Sequence, residues 1–125
     1  MSWLLDTHTL LWWLADDPRL GTAARAAIAG TERPVFVSAA TIWEVSIKTA
    51  LGKLALPGPL DAVLEPEGFA ALPITWQHAA RAGALPPHHS DPFDRMLVAQ
   101  ALVEGFTLIS RDGRLAPYGV KVLRA

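Results

Sequence analysis

The chain has 125 residues, 51% of them apolar and none of them cysteine, so one core is expected over residues 1–125, and disulfides or a Cys-ligated zinc site are excluded. Eleven basic and twelve acidic residues leave a net charge of −1, which argues against a surface that grips nucleic acid along its whole extent; such a function would need a local site, with metal ions supplying positive charge. The N-terminus has no basic segment, Asp6 and His8 interrupt its apolar stretch, and no uncharged run approaches the roughly 20 residues that cross a bilayer, so a cytoplasmic protein with no membrane contact is expected.

Trp3-Leu4-Leu5 reads as a short buried strand ending at Asp6. Thr7 is placed to cap a helix running through Ala15, which Asp16-Asp17-Pro18 terminates. Thr22 opens an alanine-rich helix ending near Gly30, and Pro34 to Val37 form the next strand. Ser38 caps a helix from Ala39 to Leu51 that stops at Gly52. After a Pro/Gly turn, Leu60 to Leu64 form a short helix, Phe69 to Ile74 a third strand and Thr75 to Ala82 another helix. Leu85 to Ser90 is a loop containing proline and histidine. Asp91 then caps a helix through Glu104, with Pro92 at its first position, where the missing N–H does no harm. Phe106 to Ile109 and Val120 to Leu123 complete the strands. Strands that are apolar runs, alternating with helices, predict an α/β fold whose parallel sheet is covered on both faces.

In open parallel sheets, ligands bind beyond the carboxyl ends of the strands. Asp6 directly follows the first strand, and Asp112 lies just past the fourth. Glu44 sits two turns into the helix leaving the second strand, and Asp94 lies in the first turn of the helix after the His-Pro loop. Each has a structural alternative. Asp6 and Asp112 suit turns, Glu44 suits an i,i+4 pair with Lys48 of about 0.2–0.5 kcal/mol, and Asp94 suits a helix N-terminus by roughly 0.3–1 kcal/mol. Four carboxylates in one pocket would raise one another's pKa unless a cation lay among them. Hard oxygen donors without cysteine, and without a convincing histidine pair, suit Mg²⁺ or Mn²⁺. Such an ion can activate water and stabilise the leaving oxygen in phosphodiester cleavage.

Four ordered segments, Leu5-Asp6-Thr7-His8-Thr9-Leu10-Leu11-Trp12, Ser38-Ala39-Ala40-Thr41-Ile42-Trp43-Glu44, His89-Ser90-Asp91-Pro92-Phe93-Asp94-Arg95-Met96-Leu97-Val98-Ala99-Gln100-Ala101 and Leu108-Ile109-Ser110-Arg111-Asp112, span nearly the whole chain. In them the chain resembles the PIN-domain family, and within it the VapC-type toxins. The resemblance implies a three-layer α/β/α fold with a parallel sheet of about five strands. It implies a metal-dependent ribonuclease acting as the toxin of a type II toxin–antitoxin pair, with Asp6, Glu44, Asp94 and Asp112 as the acids that hold Mg²⁺ or Mn²⁺ and carry catalysis. It implies Thr7 and Ser110 as hydroxyl residues beside the site, an RNA substrate and a cognate antitoxin. A homodimer is expected as well. Asp91 is a further acid whose role stays open between cap and metal contact.

His8 reads as a hydrogen-bonded structural residue, and His88 and His89 as parts of the loop. Arg95, Arg111 and Arg114 lie close enough in sequence to the acids to hold RNA phosphates, or equally to pair with neighbouring carboxylates. Trp12 and Trp13 point about 100° apart on a helix, so one of them can contribute to a dimer or antitoxin surface. A haloacid-dehalogenase-type phosphatase fits poorly, because His8 stands where that chemistry wants a second aspartate. A catalytically silent PIN-like module that binds RNA or a partner is the remaining alternative.

Overall fold

The computed structural model describes residues 1–30 and 32–125. Its five strands are β1 (Trp3–Leu5), β2 (Val35–Ser38), β3 (Ala70–Leu72), β4 (Thr107–Ser110) and β5 (Val122–Arg124). The helices are α1 (Thr7–Leu14), α2 (Thr22–Ala29), α3 (Ala39–Ala50), α4 (Leu60–Leu64), α5 (Trp76–Ala84) and α6 (Pro92–Glu104), with short 3₁₀ turns at Glu65–Glu67 and Ala116–Tyr118. Every strand pairing is parallel, in the order β3-β2-β1-β4-β5.

Two apolar layers explain why the strands lack an alternating pattern. Side chains on a strand point to opposite faces in turn, and both faces here are covered. Leu4 and Leu108 enter one core with Leu97, Val98 and Leu115; their neighbours Leu5 and Ile109 enter the other with Leu10, Leu20, Ala24 and Ile28. The first core lies under α5 and α6 and the second under α1 and α2, giving three α/β/α layers.

The boundaries differ from the sequence reading in instructive places. The N-cap of α1 is Asp6, whose Oδ1 accepts from the Thr9 N–H at 2.9 Å; Thr7 is the first helical residue. The helix cap is therefore also the acid that ends β1. Strands β2 and β4 run one residue further than expected, to Ser38 and Ser110, because parallel partners continue there: Ser38 faces Leu72 and Ser110 faces Arg124. Ser38 still caps α3, accepting from the Ala40 N–H, and Asp91 caps α6 with Pro92 at its first position. Helix α6 ends at Gly105 with φ 73°, a conformation that glycine adopts without a Cβ clash.

Candidate functional site

The register of the sheet begins the site. Leu5 of β1 pairs with Ile109 of β4, so the next residues, Asp6 and Ser110, meet at the carboxyl end of the two central strands. The Asp6 N–H donates to the Ile109 carbonyl at 3.2 Å, and the Ser110 hydroxyl donates to Asp6 Oδ2 at 2.5 Å. With the Thr9 N–H on Oδ1, both oxygens of this buried carboxylate are held.

Glu44 arrives from α3 and is 7% exposed. Thr7 donates its hydroxyl to Glu44 Oε1 at 2.6 Å, and Lys48, one turn on, donates to Oε2 at 2.7 Å. The i,i+4 pair read as a structural alternative thus exists, and Glu44 belongs to the acidic cluster at the same time. Asp94 stands in the first turn of α6, and Asp112 in the turn after β4. Asp6, Glu44, Asp91, Asp94 and Asp112 all line one cavity of about 160 Å³, together with Lys48, His89 and Arg114. All four acids singled out in the sequence are brought together.

Their electrostatics diverge. Burial pushes the Asp94 carboxyl up to about 6, helped by the charges of Asp91, Asp6 and Glu44 and opposed by His89. Asp112 is held down to about 2, first by its hydrogen bonds from the Arg114 side chain. Asp94 is therefore the acid on which crowding falls, the environment that a bound cation relieves. The donor set is carboxylate oxygen, chemistry that fits a hard divalent cation.

His89 departs from the loop role read in the sequence. It is buried, its Nε2 hydrogen-bonds Asp112 Oδ2 at 3.2 Å, and the same nitrogen lies 2.9 Å from Asp94 Oδ2. No local signal marks this, since Asp112 is 23 residues away. His88 stays on the surface side, edge-on to Tyr118. His8 is exposed and stacks on Trp12, with no hydrogen bond of the expected kind among the described contacts.

The arginines divide. Arg114 pairs with Asp112, yet its side chain is 65% exposed at the cavity. Arg95 neither pairs with an acid nor faces the cavity; it donates to the carbonyls of Ala82, Leu85, Pro86 and His89. Arg111 donates to the carbonyls of Arg19 and Ala125 and packs over Trp12. Trp12 and Trp13 are both half-buried, and the most exposed aromatic surface is instead at Trp43 and Trp76. No helix among the described residues is long and apolar enough to cross a membrane.

A model of the PIN domain matches residues 3–121. The chain is 34% identical over 115 residues to Ribonuclease VapC22 of Mycobacterium tuberculosis, covering 90% of this chain and 88% of that one. In fold it is similar to the structure of VapBC2 from Rickettsia felis bound to a DNA fragment from its promoter, with TM-score 0.75, 12% identity and coverage of 99% of this chain and 98% of that chain. It is likewise similar to DNA-bound VapBC from Salmonella typhimurium, with TM-score 0.72, 20% identity and the same coverage.

Proposed function

The chain belongs to the PIN-domain family, and on that premise we propose that it is a metal-dependent ribonuclease, the toxin of a type II toxin–antitoxin pair. The observation that carries this reading is the convergence of Asp6, Glu44, Asp94 and Asp112 on one cavity, with Asp94 raised to about 6 by burial and its acidic neighbours. The name of the Mycobacterium tuberculosis relative, a ribonuclease, supports the activity. The VapBC complexes that share the fold support a cognate antitoxin as partner.

In this reading the four acids hold Mg²⁺ or Mn²⁺ and are the catalytic residues. A divalent ion there supplies a polarised phosphodiester and an activated water. The protein's part is placement. Asp6 is fixed by Thr9 and Ser110, and Glu44 by Thr7 and Lys48. Lys48 and Arg114, both partly exposed beside the acids, meet the phosphates of the RNA strand. The antitoxin blocks the same cavity by placing a basic side chain among the acids. The exposed Trp43 and Trp76 offer apolar surface for a homodimer.

Purified protein should cut RNA with Mg²⁺ or Mn²⁺ and stop in EDTA, and Asp6→Asn should be silent in both. Expression of the wild type alone should arrest growth, and Asp6→Asn should not. Undiminished cleavage in EDTA by a preparation free of other nucleases overturns the metal mechanism.

A further inference from the structure

His89, Asp94 and Asp112 each offer one ligand atom, all within 4.8 Å of one another. A His-Asp-Asp set of this kind invites the reading that the imidazole is itself a metal ligand. The far side of the ring says otherwise. We propose that His89 is a positioning residue, a fixed N–H donor that holds Asp94 and Asp112 side by side, and not a ligand of the ion. The proposal rests on the metal reading above.

The Asp91 backbone N–H donates to His89 Nδ1 at 3.3 Å. A nitrogen that accepts carries no proton, which leaves Nε2 as the nitrogen that bears the hydrogen. That hydrogen is directed at Asp112, whose Oδ2 lies 3.2 Å from Nε2, and Asp94 Oδ2 lies 2.9 Å from the same nitrogen. A ligating histidine needs the reverse arrangement, a lone pair toward the ion and an N–H on the far nitrogen donating to an acceptor. Here the far nitrogen meets a donor, and moving the proton to Nδ1 would set two N–H groups against each other.

The ring has little freedom to escape this. Its side chain is 5% exposed. The His89 N–H donates to the Tyr118 hydroxyl at 2.8 Å, and Arg95 Nη1 donates to the His89 carbonyl at 3.3 Å. Asp112 is already gripped by Arg114 through both carboxylate oxygens. His89 therefore links the acid at the start of α6 to an anchored acid in the turn after β4. Its Nε2 lies against Oδ2 of each, 3.2 Å from that of Asp112 and 2.9 Å from that of Asp94.

The tautomer is directly readable. A long-range ¹H–¹⁵N correlation spectrum of the imidazoles, recorded metal-free and with diamagnetic Mg²⁺, should show His89 protonated at Nε2 in both states while resonances of the four acids shift. An Nδ1-protonated His89 in the Mg²⁺-loaded protein overturns the proposal. Mn²⁺ affinity, measured from the free-ion paramagnetic resonance signal, gives a second readout that needs no turnover. His89→Ala should weaken Mn²⁺ and Mg²⁺ alike by about 10–100-fold. His89→Gln, whose amide donates from nearly the same place, should recover most of that loss. Unchanged affinity in His89→Ala, or a loss confined to Mn²⁺ that glutamine does not recover, overturns it too. Melting in EDTA shows whether the variants fold, and if they do not, the wild-type spectrum decides. Should Mg²⁺ shift no acid resonance and Mn²⁺ fail to bind wild type, the metal reading itself falls, whatever the tautomer.

Discussion

The Thr7 hydroxyl donates to Glu44 Oε1 at 2.6 Å, joining the first residue of α1 to the middle of α3 across 37 positions of sequence. Both groups are buried, so the bond is not readily replaced by water. Thr7→Val keeps the shape and removes the donor, leaving a carboxylate oxygen unpartnered at a cost of about 1–3 kcal/mol. Thermal melting in EDTA should show that loss, and Thr7→Ser should restore most of it.

Asp94 predicts an unusual pH dependence for the metal-free protein. Its pKa is raised from 3.8 to about 6 in the folded state, so between those values the native state binds the extra proton. Stability contributed by that proton is complete below the unfolded pKa and is lost as pH rises through about 6. The shift bounds the loss at about 3 kcal/mol, and screening lowers it because the side chain is 22% exposed. Denaturant midpoints in EDTA should therefore fall between pH 4 and 6 relative to Asp94→Asn. Saturating Mg²⁺ should reverse the fall at neutral pH, since binding to the native state alone stabilises it.

Asp91 and Asp94 should separate by readout. Asp91 Oδ1 accepts from the N–H groups of Phe93 and Asp94 at 2.8 and 3.2 Å, so it is the cap of α6. Asp91→Ala should cost roughly 0.5–2 kcal/mol and leave measurable cleavage. Asp94→Asn should abolish cleavage with little loss of stability. A stable but inactive Asp91→Ala beside an active Asp94→Asn reverses the assignment.

A second polar centre lies away from the acids. Gln100, fully buried on α6, accepts from the Ser38 hydroxyl at 2.6 Å and donates to the Pro73 carbonyl at 3.2 Å, with His78 Nδ1 3.3 Å from its amide nitrogen. Gln100→Leu is nearly the same size but leaves the Ser38 hydroxyl and the Pro73 carbonyl without their partner, and each orphaned group costs about 1–3 kcal/mol. Its melting temperature should fall well below that of wild type, whereas Mg²⁺ affinity of the folded fraction should hold.

The fold was legible because its strands are apolar runs bounded by strong punctuation: Asp6 after Leu5, Ser38 after Val37, and Asp91-Pro92 opening α6. Asp6, Asp94 and Asp112 were legible as acids at or just past strand ends and helix starts, and Glu44 as an acid among the apolar residues of α3, the helix that leaves β2. Elsewhere sequence was a poor guide, for physical reasons. Asp and Thr are both good caps, so adjacent Asp6 and Thr7 could not be ordered by preference alone. His89 depends on Asp112 and Tyr118, both distant in sequence. Arg95 depends on the path of the loop before α6, whose carbonyls turn toward its guanidinium, and no residue pattern announces where a carbonyl points.

The strand order puts β3 and β5 on the outside, each three residues long. An unpaired edge is a template on which another chain can add a strand, and native sheets blunt it by shortening it or by placing proline or charge there. Pro73 follows β3 directly, while Lys121 precedes β5 and Arg124 ends it. The fully buried strand residues Leu4, Leu5, Leu108 and Ile109 belong to β1 and β4, which, like β2, are paired on both sides. Colloidal behaviour should follow from this arrangement: the folded chain has little capacity to seed fibrils at its sheet edges, and aggregation on heating should track global unfolding, when the central strands are first exposed.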